Sequence, residues 1–246
     1  MKRKILAVAA TLMIAVPESQ AAAAVLGSSA TNDAFVASLV KQAPGLRTEV
    51  LRLAIDAAGD AAQKGLVKRR DLLTVIDYSI ASSKPRLFVF DLANRKLLYR
   101  ELVAHGKNSG GNLTTNFSNR QGSLATSMGL FVTGNTYYGS NGYSLRLRGL
   151  ERGVNDNAME RAIVLHGASY VSESAVKALG RLGRSWGCPA VRKSVARPMI
   201  NTLRGGSAIF AYYPEKKWLT TSAFLQGNSE AIRIASNGGG SQRVVR

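Results

Sequence analysis

The sequence is poor in several residue types, and each shortage excludes a class of protein. Its 246 residues include a single cysteine, which excludes an internal disulfide framework and a cysteine-based zinc ribbon. No unbroken run of 18 apolar residues occurs, so the chain is not a protein that crosses a membrane several times. Only two histidines, His105 and His166, are present for proton chemistry near neutral pH.

Acidic residues are also scarce. The chain has 15 Asp and Glu against 33 Lys and Arg, a formal net charge of +18. A chain this basic is expected to meet an anionic partner. The alternative is that the excess charge only keeps the protein soluble. The remaining composition, 46% apolar and 20% charged, is that of an ordinary globular protein and not of a collagen-like or disordered one.

The N-terminus carries the pattern of an export signal. Lys2-Arg3-Lys4 precede an uncharged stretch over 5–16, and Ser19-Gln20-Ala21 is a small-x-small cleavage site. We therefore predict a signal peptide over 1–21 and export to the periplasm or cell-wall space of a bacterium. A permanent N-terminal anchor is the weaker alternative, because the apolar stretch is too short to span a bilayer. After cleavage we expect no stable membrane insertion and no nucleic-acid partner.

Two kinds of periodicity divide the rest of the chain. Apolar residues from Leu46 to Ala61 recur at helical spacing and predict an N-terminal helical segment within 22–69. A mainly β domain is predicted over 70–214. Its strand candidates are 86–90, 97–100, 128–132, 143–148, 162–165 and 207–213, and its short helices are 172–181 and 195–204. The tail over 215–246 ends rich in Gly and Ser, and we expect it to be loosely attached.

A five-residue motif first suggests a serine hydrolase. Gly183-Arg184-Ser185-Trp186-Gly187 satisfies G-x-S-x-G, the nucleophile elbow of α/β-hydrolases. That chemistry requires a histidine after the serine, and both histidines of this chain precede it. Regular βαβ alternation is absent from the surrounding pattern as well. The serine-hydrolase interpretation is therefore disfavoured.

Cys188 is the better candidate nucleophile. It lies in a glycine-containing turn, where backbone N–H groups can point at a bound carbonyl oxygen. His166 follows the apolar run 163–165, a position from which a side chain can project into a cleft, and a Cys–His pair supplies thiolate near neutral pH. A lone cysteine is also often a small buried hydrophobe, so the residues alone leave both interpretations open.

These residues resemble the signature of a known family. His166-Gly167, a spacer over 167–184 and then Ser185-Trp186-Gly187-Cys188 resemble the murein L,D-transpeptidase catalytic domain, in the YkuD-like type-two branch. The similarity covers roughly 70–214. Further segments that carry it are Ser83-Lys84-Pro85-Arg86, 103–110, Gly142-Tyr143-Ser144-Leu145, Asn155-Asp156-Asn157-Ala158 and 182–190.

The resemblance implies a fold, a reaction and a site. The fold would be an L,D-transpeptidase-type β-sandwich with short helices, and the substrates would be peptidoglycan stem peptides, with no cofactor. Cys188 would be the nucleophile and His166 the general base, oriented by the carbonyl of Gly167. The amides of Gly187 and Cys188 would form the oxyanion hole, and Ser185 would support the turn. Carbapenems would acylate Cys188 better than penicillins.

One departure from the family pattern concerns substrate binding. Many relatives carry Arg or Asn two positions after the cysteine, where this chain has Ala190. Arg184 and Arg192 are the nearest candidates to bind the donor carboxylate, unless both are solvated surface charges. His105 either lines the cleft or is a structural histidine. We predict no metal site, because the spacing of His105, His166 and Cys188 matches no zinc pattern.

Three functions remain in competition. The first is transpeptidation, in which an amine of a neighbouring stem resolves the acyl-enzyme. The second is hydrolysis of the same acyl-enzyme by water, which would make the protein an L,D-carboxypeptidase or an endopeptidase. The third is a non-catalytic basic wall-binding protein, which would need neither His166 nor Cys188. The oligomeric state stays open.

Overall fold

The structure is a computed structural model that describes residues 33–226 and 229–237. The helices are α1 (Asp33–Val40), α2 (Thr48–Gln63), α3 (Glu173–Leu179), α4 (Lys193–Leu203), α5 (Lys216–Thr221) and α6 (Ser229–Asn237). The strands are β1 (Arg69–Asp77), β2 (Leu87–Asp91), β3 (Lys96–Glu101), β4 (Gly129–Gly139), β5 (Gly142–Gly149), β6 (Val164–Ala168), β7 (Ala190–Arg192) and β8 (Ser207–Tyr212). The predicted signal peptide lies outside the described residues.

The mainly β fold class is confirmed. All eight strands belong to one sheet with the order β3-β2-β1-β8-β4-β5-β6-β7. Each predicted strand and each predicted short helix has a counterpart, and the Ser172 hydroxyl caps α3 by accepting from the Ala175 amide at 3.0 Å. Strands β1 and β7 were not predicted. Strand β1 was missed because most of it is buried on both faces, so its sequence is an apolar run without alternation. Strand β7 was missed because it has only three residues.

Alternation along the strands creates two large hydrophobic cores, beside a smaller cluster of six buried residues that includes Ala104 and Ala190. On β8, Phe210 and Tyr212 face one core, whereas Ile209 and Ala211 face the other. Residues of α1, α2, α5 and α6 belong to the first core. The second core is enclosed by α4 and by strands from both halves of the sheet, β1 and β2 on one side and β5 and β6 on the other. The sheet therefore curls over its own core.

The two edges of the sheet meet and close it into a barrel-like shape. Ala104, just after edge strand β3, forms an antiparallel bridge with Ala190 in edge strand β7. The Arg192 guanidinium of β7 adds two hydrogen bonds to the Glu101 carboxylate of β3, at 2.9 and 2.7 Å. Joining the edges satisfies backbone groups that would otherwise be open to pairing with another chain. The seam lies two residues after Cys188.

The predicted loose attachment of the tail is wrong for residues 216–226 and 229–237. Trp218 is only 2% exposed, and its indole N–H donates to the Glu151 carboxylate at 2.9 Å. The Tyr212 hydroxyl donates to the Ala235 carbonyl at 2.9 Å. Apolar residues of α5 and α6 cover the first core, and the Gly/Ser-rich end on which the prediction rested lies outside the described residues. No helix in the described ranges has the length and apolarity to cross a membrane.

Candidate active site

The turn before β7 is held by the Ser185 side chain. Its hydroxyl donates to the Cys188 carbonyl at 2.6 Å and accepts from the Gly187 amide at 3.1 Å. Gly187 has φ +125°, and a Cβ there would lie 2.8 Å from the Ala125 carbonyl oxygen. Glycine is therefore required at this position both by the backbone conformation and by the neighbouring chain.

The Cys188 thiol is enclosed by backbone. It is 8% exposed, its Sγ accepts from the Val164 amide at 3.5 Å, and its S–H donates to the Ala162 carbonyl at 3.6 Å. Ala162 has φ +51°, a left-handed conformation that costs free energy for any residue but glycine. Burial raises the pKa of the thiol, while the Val164 amide, Arg161 and the amide of Cys188 itself act in the opposite direction.

His166 lies in the neighbouring strand. Its backbone pairs with Ser144 and Ala190, and its amide donates to the carbonyl of Pro189, the residue after Cys188, at 3.4 Å. Its ring Nδ1 lies 3.2 Å from the Gly167 carbonyl oxygen. A carbonyl only accepts, so Nδ1 carries the proton and Nε2 keeps its lone pair. Burial lowers the pKa of the ring, so it is neutral at neutral pH.

Glycine at 167 lets α4 approach β6. A Cβ on Gly167 would lie 2.8 Å from the Ala196 Cβ of α4. The helix packs against this face of the strand, opposite the face that carries His166. The carbonyl that orients the imidazole is thus fixed by packing. Within the described residues, no hydrogen bond joins the His166 ring to Sγ, and none is made by Nε2.

His105 belongs to a different network. Its Nδ1 lies 2.7 Å from Nη2 of Arg86, a fully buried guanidinium that can only donate. Nδ1 is therefore the acceptor, and Nε2 carries the proton and faces the Gly110 carbonyl at 3.4 Å. Burial and the Arg86 charge lower the pKa of His105 to about 4. Its carbonyl accepts from the Ser185 amide at 2.9 Å, so His105 supports the turn through its backbone.

The two predicted carboxylate-binding arginines already have protein partners. Arg192 forms the ion pair with Glu101 at the seam. The Arg184 guanidinium donates to the carbonyls of Lys107 and Gly110 at 3.2 and 3.0 Å. Of the two predicted oxyanion donors, the Gly187 amide is bonded to the Ser185 hydroxyl. The roles of these residues stay predictions.

Two further arginines flank the site, and neither was predicted. Arg146 on β5 is exposed and pairs in register with Val164, whose amide holds Sγ. It therefore shares the sheet face of His166, and its guanidinium stacks 4.2 Å from the Tyr137 ring centre. Arg161 precedes Ala162 and interacts electrostatically with Cys188. The alternation of 143–148 predicts that Arg146 points outward, but only the strand order places it across from Val164.

No metal-binding cluster forms in the described part of the chain: no three His, Cys, Asp or Glu side chains come together there.

Comparison with known families assigns the chain. The family model described as L,D-transpeptidase catalytic domain matches residues 42–212, well over half of the sequence. The protein therefore belongs to the L,D-transpeptidase catalytic-domain family, whose members act on peptidoglycan stem peptides. The match begins before α2, so it includes a helix that the sequence pattern assigned to the N-terminal segment.

Solved structures of similar proteins are distant. The L,D-transpeptidase from Mycobacterium smegmatis is 14% identical with a TM-score of 0.37, covering 58% of this chain and 59% of that one. An L,D-transpeptidase from Stackebrandtia nassauensis is 13% identical with a TM-score of 0.35, covering 76% of this chain and 92% of that one. The chain thus spans about three fifths of the mycobacterial protein. Comparison with curated proteins gives no match. The family assignment rests on the family model.

Proposed function

We propose that the protein is an exported cysteine L,D-transpeptidase that forms cross-links between peptidoglycan stems. One observation carries the proposal: the His166 ring is held through Nδ1 by the Gly167 carbonyl, which leaves a basic Nε2 in the strand beside Cys188. Family membership supports peptidoglycan as the substrate.

The first half-reaction forms an acyl-enzyme. The Sγ proton leaves the Ala162 carbonyl and passes to Nε2 of His166 as the donor peptide enters. The thiolate attacks the carbonyl carbon of the L,D-bond, forming the S–C bond. When the C–N bond breaks, the His166 imidazolium returns its proton to the leaving amine, and the terminal D-amino acid departs.

The second half-reaction forms the cross-link. An amine of a neighbouring stem attacks the thioester carbon and gives one proton to Nε2 of His166. The S–C bond breaks as the new amide forms, and the thiolate regains its proton from the imidazolium. Water in place of the amine would give hydrolysis with the same residues, so the outcome depends on how well the acceptor side excludes water.

The tetrahedral intermediate and the donor carboxylate need separate partners. The Cys188 amide is the first oxyanion donor, and the Gly187 amide joins it when its bond to the Ser185 hydroxyl is exchanged for substrate. Arg146 is our candidate for the donor carboxylate, because it is exposed, lies across Val164 from Cys188 and has no acidic partner among the described residues. Arg184 and Arg192 are held elsewhere.

Export and wall attachment complete the proposal. The signal-peptide pattern over 1–21 and the net charge of +18 favour a protein that works against an anionic cell wall. The mature protein should sediment with purified sacculi at low ionic strength, and salt should release most of it because exposed charges are screened. Binding that salt does not reduce would exclude the basic surface as the main attachment.

The decisive experiment is incubation of the mature protein with purified muropeptides, followed by mass spectrometry of the products. Cross-linked dimers together with released D-amino acid would support transpeptidation. Shortened stems without dimers would mean hydrolysis, and no product from a protein that binds sacculi would mean a wall-binding role. The control is Cys188→Ala, which should abolish turnover without loss of fold.

A carbapenem gives a second readout on the same atom. Intact-protein mass spectrometry should show one covalent adduct per chain, mapped to Cys188 and absent from Cys188→Ser. An adduct on Ser185 would revive the serine-hydrolase interpretation.

A further inference from the structure

The Arg161 guanidinium is fixed by four hydrogen bonds to one loop. It donates to the carbonyls of Ser118 and Ala125 at 2.6 and 2.5 Å. It also donates to the hydroxyls of Ser123, at 3.2 Å, and of Ser127. All four acceptors are neutral. They set the position of the guanidinium and leave its positive charge unbalanced.

No carboxylate pairs with Arg161 within residues 33–226 and 229–237. The guanidinium is nevertheless partly buried, and burial lowers its pKa while Cys188 acts to raise it. Removing a charge from water without an opposite charge nearby costs free energy. A negative charge that forms close to this guanidinium would offset part of that cost.

The backbone places Arg161 against the nucleophile. The next residue, Ala162, turns its carbonyl to the thiol through its left-handed conformation. Near Gly187, the Arg161 Nη2 atom lies 3.3 Å from the point that a Cβ on that glycine would occupy. The guanidinium therefore borders the residue before Cys188, and the carbonyl after Arg161 holds the sulfur proton.

The other ionisable groups around the sulfur are neutral. Burial lowers the pKa of His166 and raises the pKa of Tyr170 to about 12. Burial also raises the pKa of Tyr78. Among the groups that influence the Cys188 thiol within the described residues, Arg161 is therefore the one that carries a full positive charge at neutral pH.

We infer that Arg161 is a positioning residue of the nucleophile, which stabilises the Cys188 thiolate by its charge while the loop over 118–127 holds it in place. The inference rests on Cys188 being the nucleophile of the proposed function. Arg161 keeps its proton throughout. When the thiol proton passes to His166 or to solvent, the charge left on Sγ faces the guanidinium.

Alkylation of the thiol by iodoacetamide across a range of pH tests this directly. Cys188 is the single cysteine of the chain, so the adduct mass reports on one atom. Arg161→Gln keeps an N–H donor group and removes the charge, and Arg161→Lys keeps the charge. Arg184→Gln removes an exposed charge and is the control. Circular dichroism and thermal unfolding check the fold of each variant.

For Arg161→Gln we expect the midpoint of the alkylation profile to move to higher pH. The alkylation rate at pH 7.5 should fall about tenfold for each pH unit by which the midpoint rises. The limiting rate at high pH should stay within about twofold of the wild-type rate. Arg161→Lys and Arg184→Gln should keep a midpoint close to wild type. An unmoved midpoint in Arg161→Gln, or equal shifts in the Gln and Lys variants, would overturn the inference.

Two further arms keep the test decisive. If Arg161→Gln does not fold, Arg161→Lys decides alone: a midpoint close to wild type supports the inference, and a midpoint raised by a full unit refutes it. Alkylation requires no peptidoglycan. A shifted midpoint in a protein that turns over no muropeptide would therefore uphold the inference and refute the proposed function, whereas turnover with an unshifted midpoint would do the reverse.

Discussion

The two histidines of this chain are equally buried and chemically opposite. His105 is 1% exposed and His166 is 3% exposed, and burial lowers the pKa of both rings. At His105 the partner of Nδ1 is Arg86, which only donates, so the ring proton is on Nε2 and both nitrogens are engaged. At His166 the partner of Nδ1 is a carbonyl, which only accepts, so Nε2 is left basic.

The comparison shows that burial does not decide the role of a histidine. The group that bonds Nδ1 decides it. A donor at Nδ1 uses the lone pair of that nitrogen and leaves the ring proton on Nε2. An acceptor at Nδ1 takes the ring proton there and leaves the lone pair of Nε2 available as a base. The proposed role of His166 as a general base therefore depends on the Gly167 carbonyl, whereas the lone pair on Nδ1 of His105 is used by Arg86.

The largest expected effect is on catalysis. His166→Ala should lower kcat by roughly two to four orders of magnitude, the usual consequence of losing a general base. His105→Gln should cost far less, since its ring does not contact the thiol. Rates of muropeptide turnover for both variants measure the difference. A greater loss at His105 would reverse the two roles.

The next effect is on stability, and it compares the buried Arg86 with the exposed Arg184. Arg86→Met should lower the free energy of unfolding by about 3–5 kcal/mol, because it leaves the carbonyls of Val103 and Ile80 and Nδ1 of His105 without their donor. Arg184→Met, at an exposed position, should change it by less than about 0.5 kcal/mol. Denaturant unfolding compares them. Equal effects would contradict the assigned role of the buried guanidinium.

A smaller effect appears as pH dependence. The pKa of His105 is about 4 in the folded protein and near its ordinary value of 6.5 in the unfolded chain, so acid protonates the unfolded chain first. The stability due to this group is complete above pH 6.5 and should fall by on the order of 3 kcal/mol between pH 6.5 and 4. Unfolding of wild type and His105→Gln across this range measures it. Identical pH profiles would exclude this contribution from His105.

The smallest effect concerns the surroundings of His166. Arg146→Gln should raise KM for a donor peptide about tenfold with little change in kcat, because the lost ion pair binds substrate in both ground and transition states. Arg148→Gln is the matched control, since Arg148 is also exposed and lies on the same face of β5, two residues from Arg146. Steady-state kinetics separates KM from kcat. A similar rise in KM in both variants would mean that only general surface charge matters.

The sequence predicts the local features of this molecule well. Strands β5 and β8 follow from alternation and apolar content, and the turn over 185–188 follows from its motif. The tautomers of the two rings could not be predicted, because Arg86 and His105 are 19 residues apart and meet only in the folded sheet. Arg146 and Arg161 carry no motif, since their roles depend on strand order and on a distant loop.

The two histidine rings differ in which nitrogen carries the proton, and nitrogen-15 NMR of histidine-labelled protein measures that difference most directly. With two histidines in the chain, the spectrum contains four ring nitrogens, and one His105→Gln spectrum assigns them. Near pH 7.5 we predict a protonated Nε2 at His105 and a protonated Nδ1 at His166. The same tautomer at both rings, or a protonated Nε2 at His166, would contradict the account.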